Sequence, residues 1–147
     1  MSYNMKTAKV VWQGKDLDFV GTGGSGHTLK FGNPSGPNAA SPMELVAMAA
    51  GACTAMDVID ILRKKKQDVT GFEVNVIGQR TREHPMVYTE IDLEFVVHGR
   101  NVDPRAVERS IELSLTKYCS VNTMLKHSAK IVDHYRIVEE VEAVPAV

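Results

Sequence analysis

The sequence predicts an α+β fold in which largely antiparallel sheet surrounds one long, buried central helix. Three observations lead there. The chain has 147 residues, 44% apolar and 24% charged, which is globular composition and one ordinary domain's worth of length. Apolar residues alternate with polar ones in several short segments, whereas one long segment near the middle is apolar throughout. The resulting order of elements, βββ-α-ββ-α-β, places strands and helices in runs rather than in strict alternation.

The strands at about 5–32 come first. Ala8, Val10 and Trp12 alternate with Lys9 and Val11, and Gln13-Gly14-Lys15-Asp16 supplies a turn. Leu17 and Phe19 flank Asp18, and His27 to Phe31 reads as a third short strand. Asn33-Pro34-Ser35-Gly36-Pro37-Asn38 breaks regular structure.

The central helix is expected at about 41–66. Ser41-Pro42-Met43-Glu44 forms a capping box, in which the Ser41 oxygen takes the Glu44 N–H and the Glu44 carboxylate reaches back. Pro42 sits at the first helical position, where a missing N–H costs nothing. LVAMAAGACTAM, Leu45 to Met56, carries no charge, so all its faces are expected to be covered. Arg63-Lys64-Lys65-Lys66 closes the helix with cations where the dipole prefers them. Such a helix spans about 39 Å. One thin sheet cannot cover it, which points to a partner subunit.

Two strands are expected at about 70–98. Phe72, Val74 and Val76 share one face, as do Val87, Thr89, Ile91, Leu93, Phe95 and Val97, with Arg82 to Pro85 connecting them. Asp103-Pro104 starts a helix at about 103–118, whose dry stripe is Val107, Ile111, Leu115 and Tyr118, continued by Cys119. Ser120 is placed to cap a further turn through Asn122 and Leu125. The last strand is expected at about 130–138, and the tail from Glu139 to Val147 is expected to be loose at its end. The whole chain, 1–147, reads as a single domain without internal repeats.

A formal charge of −1 and a pI near 6.5 give no general attraction to nucleic acid or to anionic membrane. No apolar run reaches the roughly 20 residues of a membrane span. Met1 to Lys6 lacks a secretory h-region, so a cytoplasmic location is expected. Gly21-Thr22-Gly23-Gly24-Ser25-Gly26 matches GxGxxG in letters, but a strand-like segment follows it where a dinucleotide site needs a helix. It reads as a hairpin loop. The histidines at 27, 84, 98, 127 and 134 show no metal-ligand spacing, so neither a metal nor a cofactor is expected.

The two cysteines, Cys53 and Cys119, are too far apart in sequence for a CxxC pattern. They are either two buried thiols acting as small hydrophobes or a peroxide-reactive thiol with a resolving partner. With the central helix and these cysteines placed, the chain resembles the OsmC/Ohr family of thiol peroxidases. Residues Asn38 to Cys53 resemble the family's "PxEL…AAxxAC" helix, and Tyr118-Cys119-Ser120-Val121 resembles its "xCPVS" segment. The resemblance implies an intertwined homodimer of α+β subunits. It also implies reduction of organic hydroperoxides, and of some hydrogen peroxide, with a dithiol as reductant. Cys53 matches the family's peroxidatic cysteine and Cys119 its resolving one.

The family's glutamate stands ten residues before the reactive cysteine, where this chain has Met43; Glu44 lies nine before and already serves the capping box. No arginine precedes Arg63. These departures place the sequence in a divergent OsmC-like branch and leave its substrate-binding residues unassigned. The rival from another class is a non-enzymatic dimer that holds an apolar small molecule between its long helices.

Overall fold

The computed structural model describes residues 4–33, 36 and 39–141. The chain divides into two compact units, one ending at Val46 and the other running from Ala47. In the first, β1 (Ala8–Trp12), β2 (Phe19–Gly23) and β3 (Thr28–Phe31) form an antiparallel meander in which Val10 pairs with Gly21 and Phe19 with Phe31. The turn after β1 needs left-handed backbone at Gly14 and Asp16, and the Gln13 N–H donates to the Asp18 carbonyl to close it.

The glycine-rich segment is a hairpin turn between β2 and β3, closed by the Gly23 N–H on the His27 carbonyl, with Gly26 at φ 94°. No helix starts there, so the loop lacks the aligned N–H groups that hold a pyrophosphate. The predicted break at Asn33–Asn38 falls largely on residues 34, 35, 37 and 38, outside the described residues, as do 142–147 of the tail.

Helix α1 spans Pro42–Lys64, close to the expected limits. The Glu44 N–H donates to Ser41 Oγ at 3.2 Å. Among the described residues this is the half of the capping box that forms, with no hydrogen bond from the Glu44 carboxylate back to Ser41. By length and composition alone α1 could cross a membrane, with mean hydropathy 1.8 over its best window. That corrects the expectation of no such segment. Asp57 and Asp60 interrupt the apolar run in sequence without lowering the average enough.

The second unit is built on a three-stranded sheet ordered β4 (Asp68–Arg80), β5 (Tyr88–Arg100), β6 (Lys130–Glu139). β4 and β5 form the expected antiparallel hairpin, whereas β6 returns parallel to β5, Phe95 pairing with Tyr135. A parallel return needs a crossover, and the intervening helices supply it. β5, paired on both edges, is the core strand: Ile91, Leu93, Phe95, Val96 and Val97 are fully buried.

The face assignment at the start of β5 shifts. Tyr88 is buried and Val87 exposed, because an irregularity between Gln79 and Arg80 resets the register at that end. On α1, Ala50, Gly51, Thr54, Val58 and Leu62 form the buried face. Gly51 lies against β4 so tightly that a Cβ there would come 2.8 Å from Val76 Cγ2.

Candidate functional site

The site is assembled from α1 and from the segment that follows α2 (Pro104–Leu113). Asp103 caps α2, its carboxylate accepting from the Arg105 N–H, with Pro104 next as expected. The α-helical winding stops at Leu113. Ser114–Tyr118 is a π-helical turn, closed by the Cys119 N–H on the Ser114 carbonyl at 2.7 Å. The extra residue in that turn overturns the expected dry stripe: Val107 and Ile111 are buried, but Tyr118 swings out to 51% exposure. Cys119 is fully buried all the same.

Cys119 also takes the capping position expected of Ser120. It stands in extended backbone at the head of α3 (Ser120–Leu125), and its sulfur accepts the Asn122 N–H at 3.4 Å. The Asn122 side-chain amide donates to the same sulfur at 3.1 Å and to the Ala50 carbonyl on α1 at 3.0 Å. A second link fastens the π turn to α1. The Ser114 hydroxyl donates to Asp57 Oδ2 at 2.9 Å, so its contact of 2.8 Å with Thr54 Oγ1 has Thr54 as the donor. Thr54 is the residue after Cys53, and Thr54 and Ser114 are wholly buried.

These two fastenings bring the cysteines together. Both are free thiols, Cys53 half-buried and Cys119 buried. Burial pushes the Cys119 thiol up to about 11, while the Asn122 N–H groups pull it down and a hydrogen bond and charge at Cys53 push it further up.

Glu44 sits in the first turn of α1, within the first unit, with its side chain exposed. Sequence reasoning missed Asn122, Ser114, Thr54 and Asp57. Asn122 three residues after Cys119 was the one available signal, since asparagine readily bonds nearby backbone and side chains.

The open side of α1 differs from its buried side. Met48, Ala52 and Met56 recur every four residues and are exposed, Met48 at 53% and Met56 at 70%. The expectation that every face of this stretch is covered therefore fails within the single chain. Among the described residues no group of three His, Cys, Asp or Glu side chains is placed to hold a metal. His134 pairs instead with Asp92, at 2.6 Å, and His98 with Glu140.

A family model described as OsmC-like protein matches residues 33–132. Protein YhfA of Escherichia coli K12 is 44% identical over 131 residues, covering 89% of this chain and 97% of YhfA. A solved structure from Aquifex aeolicus superposes with a TM-score of 0.83 at 30% identity, over 94% of this chain and 99% of that one. An organic hydroperoxide resistance protein from Elizabethkingia anophelis has the same fold, with a TM-score of 0.68 at 12% identity, over 93% and 99% of the two chains. The chain belongs to the OsmC-like protein family.

Proposed function

We propose that this protein is a thiol-dependent peroxidase that reduces organic hydroperoxides, working as a homodimer and recycled by a dithiol. The observation that carries the reading is the pairing of Cys53, the more accessible thiol, with Cys119, buried beside it. Attack of a Cys53 thiolate on the peroxide oxygen gives a sulfenic acid, and a neighbouring thiol converts that to a disulfide before further oxidation. Cys53 lies in the charge-free stretch Leu45 to Met56 of α1, suited to an alkyl hydroperoxide, and one structural neighbour bears the name of an organic hydroperoxide resistance protein.

The exposed row of Met48, Ala52 and Met56 supports the homodimer, because a second copy can cover it. Stopped-flow consumption of cumene hydroperoxide with a dithiol tests the activity. Wild type is expected to turn over and Cys53→Ser to fall to the uncatalysed rate; equal consumption by both contradicts the reading.

The same exposed row favours a second reading, a non-enzymatic dimer that encloses an apolar small molecule. Alkylation by iodoacetamide separates the two. A rate that climbs between about pH 6 and 8 marks a reactive thiolate. A slow rate unchanged over that range favours the binding dimer.

A further inference from the structure

We infer that Asn122 is a positioning residue for Cys119, holding the Cys119 sulfur as the thiolate that attacks oxidised Cys53. The inference rests on the peroxidase reading and names a part of its machinery. Asn122 is only 2% exposed, and its hydrogen bonds fix how its amide lies. The Ala50 carbonyl can only accept, so the amide nitrogen faces it, and the same nitrogen reaches the Cys119 sulfur. The amide oxygen is left buried without a hydrogen-bond partner among the described residues. A buried acceptor left unpaired is costly, and the side chain bears that cost while pointing its donors at sulfur.

A neutral thiol rewards such donors poorly, because its sulfur is a weak acceptor. An anionic sulfur makes both N–H contacts charge-assisted and about twice as strong. These two donors therefore favour the thiolate at Cys119, against the burial that favours the thiol. Cys53 is the titratable group, among the described residues, whose charge bears on Cys119. While Cys53 is anionic, a second charge beside it is disfavoured and Cys119 keeps its proton.

Burial, the larger obstacle, remains and is opposed by the Asn122 donors, while oxidation removes the part that the Cys53 charge supplies. The Cys53 thiolate attacks the hydroperoxide, an S–O bond forms and the O–O bond breaks, and the alkoxide leaves and takes up a proton as the alcohol. Sulfur has given up two electrons and is now an uncharged sulfenic acid. Cys119, facing no neighbouring charge and held by Asn122, releases its proton and attacks the Cys53 sulfur. The S–S bond forms as the S–O bond breaks, and hydroxide departs with that proton as water. A dithiol then returns two electrons and two protons to restore both thiols. In this scheme the resolving thiol is activated only after the first thiol has reacted.

The test titrates Cys119 alone. In a Cys53→Ser background, thiolate ultraviolet absorbance is followed against pH with Asn122 intact, with Asn122→Ala and with Asn122→Ser, folding being checked by circular dichroism. Both substitutions are expected to raise the midpoint, Asn122→Ala by about one pH unit, a tenfold loss of thiolate at fixed pH. Asn122→Ser covers the case in which the alanine variant fails to fold. With both cysteines present, Asn122→Ala is expected to slow disulfide formation about tenfold near neutrality, with the deficit shrinking as pH rises. An unchanged midpoint, or slowing by the same factor at every pH, overturns the role of Asn122. Wild type that forms no disulfide with peroxide overturns the peroxidase reading instead, and the titration still judges Asn122 on its own.

Discussion

The two sides of α1 are chemically alike and physically opposed. Ala50, Thr54, Val58 and Leu62 are closed in, and from that side Thr54 and the Ala50 carbonyl reach the π turn and Asn122. Met48, Ala52 and Met56, of similar hydropathy, lie open. Cys53 falls between these rows. The closed side fixes where the sulfur sits, and the open side decides what can reach it or cover it.

That contrast can be broken by charge, by truncation, by removing a hydrogen bond and by pH. The largest effect is expected from Met56→Lys. In the proposed homodimer an unpaired charge on this row would be buried at a cost of about 3–5 kcal/mol, so sedimentation is expected to show a dimer for wild type and a monomer for the variant. A persistent dimer would place the interface elsewhere. Truncation on the closed side comes next: Leu62→Ala should lose about 2–5 kcal/mol in denaturant unfolding. Met56→Ala, measured at concentrations where the protein is monomeric, should stay within about 0.5 kcal/mol.

Ser114→Ala removes the acceptor of Thr54 and the donor of Asp57 together, and should cost about 1–3 kcal/mol. It should also slow disulfide formation, because the tie of Ser114 in the π turn to Thr54 and Asp57 of α1 is then lost. The smallest effect concerns pH. The folded state holds Cys119 at about 11, above its ordinary value, so it favours the thiol form. This contribution is complete below the unfolded thiol's range near 8.5–9 and is lost as pH rises through about 11. The stability difference between reduced wild type and Cys119→Ala should narrow across that window in thermal melts. A constant difference would mean that Cys119 ionises no less easily when folded.

Much of this was legible because the signals were local. Ser41-Pro42 set the start of α1, Asp103-Pro104 set that of α2, and the alternation from Ile91 to Val97 marked the core strand. The two cysteines stood out by their apolar setting and by the resemblance. What was not legible depended on distant partners. A π turn at Ser114–Tyr118 changes the face presented without changing the apolar spacing, so Tyr118 was placed inside. Asn122 acquires its meaning from the Ala50 carbonyl, 72 residues away in sequence. The parallel return of β6 follows from where the crossover ends, which its own alternation does not record. The open row on α1 looked buried because hydropathy states a need for cover without saying which chain meets it.

The central claim is that Cys53 and Cys119 form one redox unit. Reduced protein treated with one equivalent of cumene hydroperoxide, then alkylated and mapped as peptides under non-reducing conditions, tests it most directly. The account predicts a single Cys53–Cys119 disulfide with little sulfinic acid at either position. Two thiols recovered unreacted, or each overoxidised independently without a bridge, would contradict it.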